Sequence, residues 1–232
     1  DMRDKIIGAN AHGIVMSYVP AAFQQHPDLV RRVEAVEHVR GATPFIYTEV
    51  MLSAAGGVKG LVLRGIDPES APKVLSMLRE IRRGSVADLK REGTPGIVIG
   101  EELAKRLGIG LGSRVNLLSP SGEKGATGYS PRIRPFEVVG IFKTGMFEYD
   151  ATLAFVDLKA ARDILGLPDG FLTGIEIMVD DVYKADAIAQ SVQDTLGSPF
   201  YVRHWMEMNA NLFAALKLEK IGMFILLTMV VL

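Results

Sequence analysis

Residues 173–202, TGIEIMVDDVYKADAIAQSVQDTLGSPFYV, decide the fold. Residues 173–179 predict a strand, and Asp180-Asp181 supplies the cap of a following helix. Residues 200–202 predict a second strand. Between the two strands, apolar side chains recur at the 3–4–4 spacing of one helix face: Ala185, Ile188, Val192 and Leu196. The stretch is therefore a strand–helix–strand unit.

A second unit of this kind lies near the N-terminus. Residues 13–18 predict a strand, Pro27 opens a helix, and residues 39–52 predict the next strand. Two such units facing each other, with the middle of the chain inserted between them, predict an α+β fold.

The middle of the chain does not continue the strand–helix–strand pattern of the two ends, and we interpret it as an inserted segment. We expect a discontinuous subdomain formed by residues 1–66 and 170–220, with residues 67–169 inserted into it. The insert contains the motif GIVIG at 96–100, which a predicted helix at 101–107 follows.

The chain closes on twelve residues without a charge, IGMFILLTMVVL at 221–232. As a helix they would rise about 18 Å, whereas a bilayer core needs about 20 residues. Lys217 and Lys220 precede the run, where interfacial anchors are found. We interpret residues 221–232 as the start of a transmembrane helix and residues 1–220 as the domain before it. A buried terminal helix or strand is the alternative.

Composition and motifs argue against several function classes. The formal net charge of −1 is not typical of a nucleic-acid binder, and the absence of cysteine removes thiolate chemistry. The glycines at 108–112 follow a predicted helix and precede a predicted strand, which is the reverse of a nucleotide-binding turn and favours a helix C-cap. The four histidines have no metal-ligand spacing, and no nucleophile elbow frames a serine. We therefore expect no catalytic residue, cofactor or metal.

A polar excursion, SPSGEKGATGYSP at 119–131, is the most informative feature. Strands predicted at 114–118 and 136–142 flank it, so residues 119–135 predict a long hairpin. A mobile solvent loop is one interpretation. A docking arm is the other: its prolines stiffen the feet, Tyr129 is a candidate anchor, and Arg132 and Arg134 would meet an acidic partner surface.

Several stretches resemble a known family. They are GANAH at 8–12, GIVIGEELA at 96–104 and FEVVGIF at 136–142, followed by WMEMN at 205–209 and NLFAALKLEK at 211–220. The chain resembles the periplasmic domain of a lipoprotein-releasing ABC transporter permease of the LolC/LolE family, which has a MacB-like periplasmic core. The first two patterns are shared with MacB-like proteins in general, and the last two stretches are closer to LolC/LolE.

The resemblance implies a fold and a set of partners. The fold would be α+β, with two βαβ-like units (Porter-type), an inserted smaller subdomain (Sabre-type) and a protruding β-hairpin. The protein would be a non-catalytic permease of the bacterial inner membrane, anchored by flanking membrane helices. Its partners would be a cytoplasmic ATPase subunit, a second permease subunit in a homo- or heterodimer, the lipoprotein substrate and a LolA-type periplasmic carrier.

The resemblance also implies site residues. In the LolC branch a hook hairpin with a basic pad at its base recruits the carrier, whereas the LolE branch lacks the hook. The hook residues here would be Pro120, Gly128, Tyr129, Ser130 and Pro131. The pad would comprise Arg132 and Arg134, while Asn116 stands on the opposite foot, where a basic residue is expected. The alternatives are a MacB-type efflux pump that contacts an adaptor protein, and a periplasmic enzyme.

Overall fold

The computed structural model of the chain describes residues 11–125 and 128–208 and, further on, Met223 and Thr228. The transmembrane helix predicted at 221–232 therefore lies outside the described residues, apart from these two positions. No helix within the described part of the chain is long and apolar enough to cross a membrane.

Ten strands and seven α-helices make up the described residues. The strands are β1 (Gly13–Ser17), β2 (Val39–Ala54), β3 (Gly57–Ile66), β4 (Ile81–Gly84), β5 (Gly96–Gly100), β6 (Arg114–Gly125), β7 (Gly128–Phe142), β8 (Leu153–Asp157), β9 (Gly174–Val179) and β10 (Phe200–His204). The α-helices are α1 (His26–Glu34), α2 (Ala71–Val74), α3 (Glu101–Leu107), α4 (Phe147–Thr152), α5 (Leu158–Leu165), α6 (Ala185–Leu196) and α7 (Trp205–Met208). Short 3-10 helices occupy Pro20–Gln25, Ser76–Arg79, Ala87–Leu89 and Val182–Lys184.

The two predicted strand–helix–strand units interleave in one sheet. At one end the strand order is β10-β1-β9-β2, and each of these neighbours is antiparallel. The unit β1-α1-β2 thus leaves a gap that β9 fills, and the unit β9-α6-β10 leaves a gap that β1 fills. This is the split βαβ arrangement, in which each unit supplies the backbone partners that the other lacks. The units share a sheet instead of facing each other.

The remaining strands extend the same sheet. β3 pairs with β2 and continues into β8, β5, β7 and β4, with parallel pairs at β3–β8 and β5–β7. Parallel strands are normally covered on both faces, and all five residues of β5 are buried. The last four strands all come from residues 81–157. The division into two subdomains stays a prediction.

Two hydrophobic cores cover opposite faces of the sheet. Ile97 and Ile99 of β5 belong to one core and Val98 to the other, as the alternation of a strand requires. The first core receives the apolar faces of α1, α5 and α6, and the second receives the segment around α2. The structure therefore confirms an α+β fold with layers on both sides of the sheet.

The second core contains a buried ion pair. The guanidinium of Arg64 on β3 faces the carboxylate of Glu176 on β9, and the two side chains are only 10% and 5% exposed. The rings of Phe45 and Phe155 lie 5.5 and 5.9 Å from the Arg64 guanidinium carbon. This cluster links β2, β3, β8 and β9.

Candidate docking surface at the base of the hairpin

The hairpin is longer and more regular than its composition suggests. β6 and β7 pair in register from Arg114↔Glu137 to Ser119↔Arg132, and again from Glu123↔Ser130 to Gly125↔Gly128. The polar stretch, expected to lie between two short strands, is therefore itself part of the two strands. These polar residues form strands because each strand supplies hydrogen-bond partners for the main-chain N–H and C=O groups of the other, whatever the side chains are.

A bulge interrupts the ladder at the prolines. Between Ser119 and Glu123 the register shifts, so that residues 120–122 stand opposite Pro131. Pro120 and Pro131 have no N–H to give to the ladder, which explains why the pairing breaks here. Gly122 is needed on the inside of the bulge, since a Cβ there would overlap the carbonyl of Ser130. The two prolines thus lie at a bulge near the foot of the arm.

The foot of the hairpin has two different faces. Leu117, Ser119 and Phe136 point inward and are fully buried, and the pad residues continue this face at its rim. Leu118 and Ile133 pair on the opposite face, where Ile133 is 50% exposed. One face is therefore basic at its rim and the other apolar.

The two pad arginines have different environments. Arg132 is half-buried, and its guanidinium lies over Gly166, the left-handed C-cap of α5, where an added Cβ would come within 2.6 Å of the guanidinium carbon. A cation at a helix C-terminus is favourable, so Arg132 holds the hairpin foot to α5. Arg134 is exposed, and its Nη1 donates to the neighbouring carbonyl of Ile133 at 3.2 Å. Arg134 thus offers its charge to solvent.

The hook residues extend from the bulge at the foot of the arm to its outer part. Pro120, Ser130 and Pro131 are exposed, as a docking role requires. Gly128 and Tyr129 belong to β7, opposite Gly125 and Lys124, but the Tyr129 side chain lies outside what the structure describes. Its role as an anchor stays a prediction. On the opposite foot, Asn116 is exposed and pairs with Pro135.

An apolar groove of about 610 Å³ adjoins the outer face of the hairpin. Its lining includes Met51, Val62, Leu118, Pro120 and Pro131. Met51 is directly opposite Leu118, because the outer part of β2 pairs with β6. Sequence reasoning did not bring Met51 to the hairpin, since the two segments are distant in the chain. The local signal is that Met51 is an apolar residue between Glu49 and Ser53 on the same face of the outer part of β2.

The polar residues considered for chemistry have structural surroundings. Gly108 has φ 63° and caps α3, which confirms the predicted helix C-cap. His12 contacts the backbone of Val179 at 3.3 Å. The Nδ1 of His38 donates to Asp180 at 2.9 Å, and this hydrogen bond lowers the pKa of Asp180 below its ordinary value. No group of three potential metal ligands gathers within residues 11–125 and 128–208.

Comparison with known proteins gives a consistent family. Residues 2–195 match the MacB-like periplasmic core domain. LolC, the lipoprotein-releasing system transmembrane protein, is 30% identical in Neisseria meningitidis and 32% identical in Xylella fastidiosa, each over 232 residues and the whole of this chain. The chain spans 55% of the length of those relatives. These matches confirm the resemblance inferred from the sequence.

Two solved structures share the fold. The periplasmic region of MacB from Actinobacillus actinomycetemcomitans has a TM-score of 0.54 at 11% identity, covering 90% of this chain and 95% of that one. The extracellular domain of the ABC-type transporter YknZ from Gram-positive bacteria has a TM-score of 0.53 at 13% identity, covering 82% of this chain and 98% of that one. At these identities the likeness concerns the fold alone, and it confirms the MacB-like architecture.

Proposed function

Because the chain belongs to the family of MacB-like periplasmic core domains, we propose that it is the periplasmic domain of an inner-membrane permease that extracts lipoproteins and docks a LolA-type carrier. Similarity to LolC over the whole chain supports this class of transporter. In this proposal the domain is not catalytic, and a separate cytoplasmic subunit hydrolyses ATP. A second permease subunit completes the complex.

The single observation that carries the docking role is the paired hairpin. A bulge at Pro120 and Pro131 interrupts it near its foot, and Arg134 presents an exposed cation on the inner part of β7, opposite Leu117. A two-stranded arm with a regular ladder loses less conformational entropy on binding than a flexible loop would. The hook and the pad therefore form a preorganised surface for a partner.

The chemistry of the cargo explains why a carrier must be held in place. Burying a methylene group contributes about 0.8 kcal/mol, so a 16-carbon acyl chain represents roughly 12 kcal/mol. Releasing several such chains into water is not feasible at a useful rate. The lipoprotein must pass directly into an apolar cavity of the carrier, and a docked carrier has a high effective concentration at the exit.

The ends of the described fold suit a domain moved by its membrane helices. The N–H of Trp205 donates to the carbonyl of His12 at 2.9 Å, so the chain enters and leaves the fold at adjacent points. Trp205 is 5% exposed, and its indole N–H donates to Val182 at 2.7 Å. A buried, hydrogen-bonded exit supports the proposal that motion of the flanking helices is transmitted to the sheet.

Titration calorimetry with the cognate LolA-type carrier tests the docking role. The variants replace residues 121–130 by Gly-Ser repeats, or carry Arg134→Glu. Arg203→Glu is the matched control, because Arg203 is also an exposed strand arginine but belongs to β10, far along the sheet. We expect binding by the wild type and the control, and loss of binding in both hairpin variants.

Failure of the intact domain to bind the carrier would contradict the proposal. It would favour a LolE-like role, or a MacB-type efflux function with an adaptor protein as partner. Binding that survives replacement of residues 121–130 would remove the docking role from the hairpin.

A further inference from the structure

We propose that Arg134 and Lys159 form opposite walls of a cationic groove that takes an acidic segment of the carrier protein. This inference rests on the proposed function and extends the pad beyond the hairpin, to the first turn of α5. The groove has a volume of about 530 Å³.

Three elements build the groove. One wall is the inner part of β7, the second is the first turns of α5, and the third is the loop before β5. The lining residues are Leu89, Lys90, Arg91, Gly93, Thr94, Pro95, Arg134, Pro135, Phe136, Asp157, Lys159, Ala160 and Asp163. Because a strand and a helix hold the two main walls, the charged groups on them are kept apart at a fixed spacing.

Two of the four cations in the lining already have carboxylate partners. Lys90 lies 2.9 Å from Asp67, and Arg91 lies 2.8 Å from Glu137. The carboxylate of Asp157 accepts the N–H of Lys159 as the N-cap of α5. These groups are committed to the fold, so the binding capacity of the groove lies with the other two cations.

Arg134 and Lys159 are exposed and uncommitted. Within the described part of the chain, neither has a carboxylate within 4.0 Å. The position of Lys159 is unfavourable for the fold itself, because it is the second residue of a helix, where the helix dipole favours an acid. A cation that the local fold does not favour, lining the same groove as a second cation without a carboxylate partner, points to an external anion.

The two carboxylates at the groove select the kind of anion. Asp157 and Asp163 would repel a densely charged polyanion such as a phosphate chain or a nucleic acid. A protein segment carries its carboxylates singly between uncharged side chains, and Pro95 and Pro135 offer apolar surface for those. An acidic segment of the carrier therefore fits the groove best.

Calorimetry with the intact 232-residue chain and the same carrier tests the groove. Lys159→Gln is expected to weaken binding about threefold, and Lys159→Glu about tenfold, with a smaller salt dependence in both. Lys184→Glu is the control, since Lys184 is an exposed lysine at the start of α6, outside the groove. The Tm of Lys159→Glu should equal or exceed that of the wild type, because an acid suits the first turn of α5.

A double-mutant cycle then tests whether the two cations share one ligand. If a single acidic segment bridges them, the double variant Arg134→Gln with Lys159→Gln should lose less affinity than the two single variants predict. The fold loss of the double variant should then be smaller than the product of the two single fold losses. Loss of binding in Arg134→Glu with wild-type affinity and salt dependence in Lys159→Glu would overturn the groove and leave the hairpin docking intact. Absence of carrier binding by the wild-type chain would overturn the docking proposal itself, and the groove with it.

Discussion

Replacing Glu176 by glutamine tests how the second core is held together. The substitution keeps the side-chain volume but removes the charge that faces Arg64, whose side chain is 10% exposed. An uncompensated buried charge costs about 3–5 kcal/mol. Cation–π contacts with the rings of Phe45 and Phe155 would still stabilise the unpaired guanidinium by about 0.5–2 kcal/mol, which reduces this cost. We therefore expect Glu176→Gln to lower the free energy of unfolding by about 3 kcal/mol.

Urea denaturation followed by circular dichroism measures this loss. Glu102→Gln is the matched control, because Glu102 pairs with Lys105 at the surface, and it should cost less than about 1 kcal/mol. The double variant Arg64→Leu with Glu176→Leu should recover most of the stability, since it leaves no buried charge. A loss below about 1 kcal/mol in Glu176→Gln would refute the reasoning, because it would mean that water reaches the pair.

Two further predictions concern positions outside the hairpin. Gly100→Ala should lower the free energy of unfolding by about 2 kcal/mol or more, since its Cβ would overlap the backbone of Asp150. Gly60→Ala is the control and should cost much less, because no atom lies within 4 Å of the added Cβ. Equal losses of Tm in the two variants would contradict this prediction. Burial raises the pKa of Asp67, but hydrogen bonds from Lys90 and Ser70 outweigh it and hold that pKa below its ordinary 3.8. The stability from ionised Asp67 is therefore full above about pH 4 and is lost as the pH falls through the lowered pKa. In Asp67→Asn, the urea midpoint should therefore depend less on pH below about pH 4 than it does in the wild type. The same pH dependence in both proteins would exclude the Asp67–Lys90 pair as a source of acid sensitivity.

Local signals predicted the elements that carry their own caps and periodicity. The sequence predicts a helix over 101–107 with a C-cap at the following glycines, and α3 spans Glu101–Leu107 and is capped by Gly108. The segment from α4 to α5 was not predicted, although Asp157 and Gly166 cap α5 in the same way. Its strand β8 is only five residues long, and a short apolar run does not distinguish a strand from a buried helix.

The sequence could not predict features that depend on distant partners. The polar residues of 119–125 and 128–131 look like a loop by composition, but pairing between β6 and β7 makes them strand. Likewise, no local pattern places Lys159 opposite Arg134, because the helix and the strand meet only in the folded sheet. The interleaving of the two strand–helix–strand units is hidden for the same reason, since each unit read alone does not show the gap between its strands.

One strand connects the two ends of the proposed mechanism. β2 has sixteen residues and spans about 50 Å at ~3.3 Å per residue. It begins at Val39, paired with Val179 of β9, and it reaches Ser53, paired with Asn116 at the hairpin foot. β9 in turn pairs with β1, which is the neighbour of β10, where the described chain leaves the sheet. The chain ends and the hairpin are therefore connected through hydrogen-bonded strands, and a displacement of the chain ends is not absorbed by a loop between them. We infer that the hairpin moves with the chain ends as part of one sheet, which is the behaviour that the proposed docking role needs.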